Sequence, residues 1–223
     1  MKQETAEVLN LDVQKLTEML NQALAEEWLA YYQYWVGARV MEGPMRSEIE
    51  SELLEHADEE LEHAEKLITR IIQLGGTPVL SPDEWTRMAR CRYEVPNDPY
   101  IETILEQNLR SERCAIKRYQ DIADFTSGID YTTAKMAVEI LEDELDHEED
   151  ILSYQHDIAA LKRTIDKMIR SSRTRPTPVG ALSVRIGERS DRRFFGKRRN
   201  LRAKARFSVR GKTYLCIVQN RMP

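Results

Sequence analysis

The sequence predicts an all-α protein built on an antiparallel bundle of four long helices. Apolar residues recur at intervals of three and four along four long segments, and glycine- and proline-containing breaks separate these segments. No convincing strand pattern occurs before residue 170. Two of the three connections are short, which favours antiparallel neighbours. We therefore divide the chain into a helical bundle, 1–170, and a C-terminal extension, 171–223.

The helix boundaries follow from the strong breakers. The four long helices are predicted over about 12–41, 47–74, 98–125 and 130–169. The connection between the second and third, residues 79–97, contains the signal of a further short helix. There Ser81 stands as the N-cap, Pro82 takes the first helical position, and Glu84 closes a capping box.

Charge also divides the chain at about residue 170. Residues 171–223 hold 15 Lys and Arg against 2 Asp and Glu, a balance of +13, whereas residues 1–170 hold 18 basic and 36 acidic residues, a balance of −18. The extension starts with a linker-like composition and has one short strand-like run, 213–218. We expect it to be disordered or poorly packed. It would bind DNA phosphates without reading sequence, dock an acidic partner, or have no function.

Composition excludes several classes of protein. No run approaches the ~18 consecutive apolar residues of a membrane span, and the N-terminus has no apolar signal segment. Cys91, Cys114 and Cys216 are too few for a disulfide scaffold and form no CxxC motif. We therefore expect a cytoplasmic protein without a membrane partner.

Each long helix carries one glutamate on its apolar seam, close to the middle of the helix. The four are Glu27, Glu60, Glu112 and Glu144. An unpaired ionised carboxylate in a protein interior costs several kcal/mol, and the seams contain no Lys or Arg to neutralise these groups. Two divalent cations would balance the four charges.

Two histidines support a metal site. Glu60 and Glu144 each begin an ExxH motif, completed by His63 and His147, which places both side chains of each motif on one helical face. Glutamates from two helices with an ExxH motif from each of the others form the pattern of di-iron and di-manganese carboxylate proteins. Oxygen-rich ligation with one imidazole per metal suits Fe or Mn. We interpret His56 as a surface histidine, with an accessory iron ligand as the alternative.

These helices resemble the ligand helices of bacterioferritins, within the ferritin-like superfamily. The resemblance is strongest over 27–34, 60–64, the Gly-Gly-Thr-Pro at 75–78 and 142–147, and covers about 11–160. It implies two iron ions, or manganese, with Glu60 and Glu144 bridging. The implied ligands are Glu27, Glu60, His63, Glu112, Glu144 and His147. Leu61 stands where bacterioferritins carry a haem-ligating methionine, so no haem is expected.

Two cysteines resemble the cysteine pair of the Dps-like proteins called thioferritins. Cys91 lies in the connection before the third helix, and Cys114 lies two residues after Glu112. The resemblance implies a redox-active pair that can form a disulfide and a homo-dodecameric cage. It also implies oxidation of Fe(II) with hydrogen peroxide or dioxygen. Two inert buried thiols are the alternative.

The resemblance therefore implies a ferroxidase that stores iron and protects against oxidative stress. The ligand set alone also suits a manganese catalase or a di-iron oxidase that forms no cage. A third interpretation, based on the basic residues of 171–223, is a nucleoid protein that binds DNA non-specifically.

Overall fold

The computed structural model describes residues 11–173 and two strands, 202–209 and 212–219, of the 223-residue chain. The first range belongs to one compact unit and the strands to a second. Within these described residues, no helix is long and apolar enough to cross a membrane.

The described part of the first unit, residues 11–173, contains four long helices and one short helix. They are α1 (Val13–Val40), α2 (Arg46–Gln73), α3 (Pro82–Met88), α4 (Ile101–Thr126) and α5 (Tyr131–Arg173). α1 packs along α2 and α4 packs along α5, each pair across a short turn, and a long connection containing α3 joins the two pairs. The predicted four-helix bundle with a short helix between its second and third helices is confirmed. α5 continues past its predicted end at residue 169 to Arg173.

Main-chain contacts tie the two helix pairs together at one end of the bundle. The carbonyl of Glu42, just after α1, accepts a 2.9 Å hydrogen bond from the Ile101 N–H, and the Glu42 N–H donates to the Pro99 carbonyl at 2.7 Å. Gly43 has a φ of 144°, and a Cβ on it would lie 2.8 Å from Cγ2 of Ile101. Glycine therefore allows the α1–α2 turn to approach the start of α4 this closely.

The start of α3 departs from the prediction in one respect. Ser81 is the N-cap and Pro82 follows it, as predicted, but the Ser81 side chain makes no cap hydrogen bond. The Glu84 carboxylate instead lies 3.6 Å from the Arg87 guanidinium, one turn further along the helix. The predicted capping box is therefore wrong.

Two apolar clusters fill the bundle, one on each side of its middle. Their large aliphatic members include Leu20, Leu67, Ile122 and Ile140 in one cluster and Ile49, Leu53, Leu105 and Ile151 in the other. Full burial of each such side chain contributes ~1.5–3 kcal/mol. Between the clusters, every long helix presents buried polar residues, and these form the site described below.

The second unit contains an antiparallel hairpin. Its strands are β1 (Arg202–Val209) and β2 (Lys212–Gln219), in a register that pairs Arg202 with Gln219 and Val209 with Lys212. β2 includes the predicted strand-like run, whereas β1 was not predicted. Two strands alone give a marginal structure in water. The rest of the extension, which we predicted to be disordered or poorly packed, lies outside the described residues.

Candidate metal centre

The bundle brings all six predicted ligand residues together at one level. These residues are at most 2% exposed, and they form two groups of four within which one oxygen or nitrogen atom per residue lies within 4.8 Å of the others. The first group is Glu27, Glu60, His63 and Glu144, and the second is Glu60, Glu112, Glu144 and His147. Glu60 and Glu144 belong to both groups, which is the arrangement that two bridging carboxylates require.

Both histidines turn Nδ1 toward the buried glutamates. Nδ1 of His63 lies 3.2 Å from Glu60 and 3.4 Å from Glu144, and Nδ1 of His147 lies 3.5 Å from Glu112 and 3.7 Å from Glu144. Ligand atoms ~2.1 Å from an octahedral cation are about 3.0–4.2 Å apart. The observed separations therefore fit donors arranged around a cation.

In each histidine, the ring nitrogen that faces away from the buried glutamates, Nε2, forms a hydrogen bond with an acidic residue. Nε2 of His147 lies 2.6 Å from the Glu59 carboxylate on α2, and Nε2 of His63 lies 3.1 Å from the Asp143 carboxylate on α5. A carboxylate accepts and cannot donate when ionised, so both hydrogen bonds place the proton on Nε2. Nδ1 is then the nitrogen left for a metal, which would displace any proton that Nδ1 carries in the metal-free protein.

Glu27 and Glu112, which each belong to only one donor group, accept hydrogen bonds from tyrosines. The Tyr34 hydroxyl of α1 donates to Glu112 of α4 at 2.6 Å, and the Tyr119 hydroxyl of α4 donates to Glu27 of α1. Each tyrosine lies seven residues after a glutamate on its own helix. The centre therefore consists of two matching halves.

Burial and neighbouring charges shift the pKa values of several residues of the centre. Burial and the Glu144 and Glu27 carboxylates raise the pKa of Glu60. Burial and Glu144 likewise raise the pKa of Glu112 to about 7. Burial lowers the pKa of His147, but the nearby carboxylates of Glu112 and Glu144 outweigh burial and raise that pKa to about 12. Protons therefore supply the positive charge that the carboxylates require.

Four oxygen and nitrogen atoms of the six predicted ligand residues are buried without a hydrogen-bond partner among the described residues. They are Oε2 of Glu112, both carboxylate oxygens of Glu144 and Nδ1 of His147. Buried polar atoms are normally paired, so this set indicates missing partners. Carboxylate oxygens with one imidazole per group fit Fe or Mn.

The two predicted cysteines form a disulfide beside this centre. Cys91 and Cys114 are joined, with their Cα atoms 5.6 Å apart, inside the predicted range of ~4.4–6.8 Å. Glu26 holds the Cys91 segment, because its carboxylate accepts hydrogen bonds from the Arg90 N–H at 2.6 Å and the Cys91 N–H at 3.3 Å. Glu26 also forms a two-pronged buried ion pair with Arg118 and directly precedes Glu27.

The surface interpretation of His56 is wrong. The ring is 3% exposed and stacks on His147 with centroids 4.1 Å apart. Burial and His147 lower the pKa of His56 to about 3, so the ring is neutral near pH 7.

Four residues of the site were missed by sequence reasoning. Tyr34 and Tyr119 each lie on the apolar seam of a helix, seven residues after a seam glutamate, and that spacing was the available signal. Glu59 and Asp143 directly precede Glu60 and Glu144, the two glutamates shared by both donor groups. The available signal was that an acidic residue stands before each of these glutamates.

A four-helix bundle enclosing two sets of carboxylate and imidazole donors defines a potential metal-binding carboxylate protein. The family model of the ferritin-like domain matches residues 17–161, and the chain belongs to that family.

Relatives of known sequence or structure agree with this assignment. A DNA protection during starvation protein of Pyrococcus furiosus is 38% identical over 140 residues, 62% of this chain and 75% of that protein. A bacterioferritin of Brucella melitensis is 32% identical over 149 residues, 66% of this chain and 85% of that protein. The solved structure of a dodecameric thioferritin, the bacterioferritin-related protein of Bacteroides fragilis, is 52% identical with a TM-score of 0.71. The match covers 72% of this chain and 97% of the Bacteroides fragilis chain.

Proposed function

We propose that the protein is a ferroxidase that binds two Fe(II) ions in the bundle and oxidises them with hydrogen peroxide or dioxygen. The observation that supports this most strongly is the sharing of Glu60 and Glu144 between two buried donor groups. Glu27 and His63 would complete the ligands of one ion, and Glu112 and His147 those of the other.

Iron is the substrate in this proposal. Two Fe(II) ions lose one electron each, and hydrogen peroxide takes both electrons and two protons while its O–O bond breaks, so two waters and two Fe(III) ions are the products. The chain's own contribution is to hold the carboxylates and imidazoles in place. Tyr34 and Tyr119 donate to the outer glutamates, and Glu59 and Asp143 hold a proton on Nε2 of each histidine, which leaves Nδ1 as the nitrogen that would bind the metal.

Replacement of the shared carboxylates tests the proposal. The Glu60→Ala/Glu144→Ala double variant should lose Fe(II) oxidation and bind no stoichiometric iron in metal analysis, while circular dichroism shows an intact bundle. Glu55→Ala removes one acidic side chain from the same helix outside the donor groups and should oxidise iron normally. A double variant that oxidises Fe(II) at the wild-type rate would make the site assignment wrong.

We also propose a twelve-subunit cage in which Fe(III) is stored, because the Bacteroides fragilis relative, at 52% identity, is a dodecamer. Gel filtration with light scattering should give about twelve subunits per particle. A stable monomer or dimer at micromolar concentration would instead favour a manganese catalase or a di-iron oxidase that forms no cage.

A second candidate function is non-specific DNA binding. It is supported by the +13 balance of residues 171–223 and by the name of the Pyrococcus furiosus relative. Each phosphate contact should steepen the log–log salt dependence of DNA affinity by ~0.9. A chain ending at Arg173, where α5 ends, is the comparison. Equal DNA affinity of the two chains, or affinity unaffected by salt, would rule out binding through the extension.

A further inference from the structure

We propose that Glu26 is a positioning residue that couples the orientation of Glu27 to the segment carrying Cys91. This disulfide segment comprises residues 90–95, between α3 and α4. Oε1 of Glu26 accepts hydrogen bonds from the Arg90 N–H at 2.6 Å and the Cys91 N–H at 3.3 Å. Glu26 is 5% exposed and directly precedes Glu27, one of the six predicted ligands. A single peptide unit therefore separates the contact with the disulfide segment from a residue of the centre.

Two successive residues of α4 hold these two successive glutamates of α1. The Arg118 guanidinium donates to both carboxylate oxygens of Glu26, at 2.7 and 2.8 Å, and the Tyr119 hydroxyl donates to Glu27. Neighbouring side chains on a helix point about 100° apart, so Glu26 contacts the disulfide segment while Glu27 belongs to the centre. Both carboxylates are buried, and closely packed interiors transmit strain. A displacement of Glu26 is therefore passed on to Glu27.

The disulfide segment contacts α1 in the same way at a second point. Oε1 of Gln33, a residue that is 4% exposed, accepts a 2.8 Å hydrogen bond from the Glu94 N–H. The next residue of α1, Tyr34, donates to Glu112 in the other half of the centre. Glu26 and Gln33 thus each stand one residue before a side chain of the site, so the segment is connected to both halves.

The disulfide fixes the position of this segment. Cys114 lies on α4, two residues after Glu112, so the bridge ties the segment covalently to a helix of the centre. Reduction by a dithiol, which gives two electrons and two protons to the disulfide, yields two thiols and cuts that tie. Glu26 then links the state of the bridge to the orientation of a ligand. This inference rests on the proposed function, because it concerns the ions that the centre would hold.

Co(II) titration of the full-length protein, followed by visible absorption of the bound ion, tests the link in a double-mutant cycle. Cys91→Ser/Cys114→Ser cuts the tie without leaving thiols there that could bind Co(II) themselves. Compared with the disulfide-bonded wild type, it should bind Co(II) several-fold more weakly and with an altered spectrum. Glu26→Leu/Arg118→Met removes the link, and it leaves no buried charge unpaired. In that background, the two serine changes should have little further effect on affinity or spectrum.

Gln107→Leu is the matched control for loosening of the segment. The buried Gln107 amide donates to the Val95 carbonyl at 3.2 Å, but Gln107 does not adjoin a residue of the centre. In this background, the serine changes should act as they do in the wild type. Circular dichroism checks folding, and Glu26→Gln replaces the apolar pair if that chain does not fold.

Two results would overturn the link. One is an equal effect of the serine changes with and without Glu26, and the other is a wild type in which they change neither affinity nor spectrum. If that wild type still binds two Co(II) ions per subunit, the result contradicts this inference and leaves the proposed centre standing. A wild type that binds no Co(II) would contradict the centre and the inference together.

Discussion

The carboxylate of Glu59 accepts a 2.6 Å hydrogen bond from Nε2 of His147, across the interface between α2 and α5. Likewise, the carboxylate of Asp143 on α5 accepts a hydrogen bond from Nε2 of His63 on α2. Each acceptor directly precedes a glutamate shared by both donor groups. In each of the pairs Glu59-Glu60 and Asp143-Glu144, the second residue therefore belongs to the centre, and the first accepts a hydrogen bond from a histidine on the facing helix.

Removal of either acceptor should weaken metal binding without removing a ligand. We expect Glu59→Ala or Asp143→Ala to lower affinity for Fe(II) or Co(II) by about 10–100-fold, because the ring loses the contact that fixes its tautomer and orientation. Anaerobic titration calorimetry measures the change. Glu55→Ala makes the same charge change on α2 without a histidine contact, and equal weakening in that variant would show a purely electrostatic effect.

Metal-free protein should lose stability as pH rises. Above about pH 4.5, the raised pKa values of Glu60, Glu112 and His147 keep protons on the folded state that the unfolded chain has released, and these outnumber the one proton that folding removes from His56. The free energy of unfolding therefore falls between about pH 5 and about pH 8, where the unfolded groups release their protons first. Thermal melts of chelator-treated protein should show this fall, and metal should reduce it. Metal-free protein that becomes more stable over this range would contradict the charge coupling.

The Glu26–Arg118 ion pair should be a major stabilising contact. Both side chains are at most 5% exposed, and Glu26 also anchors the Cys91 segment. Glu26→Ala leaves a buried guanidinium unpaired and should lower the free energy of unfolding by ~3–5 kcal/mol. Glu94→Ala removes a similar two-pronged partner from the exposed Arg110 and should cost ~0–1 kcal/mol. Denaturant unfolding of both variants measures the difference, and equal losses would refute it.

Reduction of the Cys91–Cys114 disulfide should destabilise the bundle. The bridge closes a loop with a sequence separation of 23, which corresponds to ~3 kcal/mol of unfolding free energy in the chain-entropy description. Cys91→Ser should show the same loss, and Cys216→Ser should not. Peroxide should restore the disulfide in reduced protein, with the two thiols giving two electrons and two protons to form water. Mass spectrometry that finds both thiols free after stoichiometric peroxide turnover would remove them from the reaction.

The central glutamates were predictable because a carboxylate on an apolar seam violates the helical pattern. Tyr34 and Tyr119 do not violate it, since a tyrosine ring fits a core and its hydroxyl partner comes from another helix. Glu59 and Asp143 were hidden for the opposite reason, because acidic residues are frequent on their helices. The burial of His56 depends on Tyr34 and His147, which lie on two other helices, so sequence spacing alone could not reveal it.

The two matching halves of the centre differ at one position. Four residues before Glu60 stands His56, and four residues before Glu144 stands Ile140, which is fully buried among aliphatic side chains. His56 lines a cleft of acidic residues that also includes His147, whereas Ile140 lies in an apolar cluster. Two ions held by equivalent ligands would then exchange with solvent at unequal rates. We expect the ion beside His147 to arrive last and leave first, which gives a symmetric pair of positions a fixed order of filling.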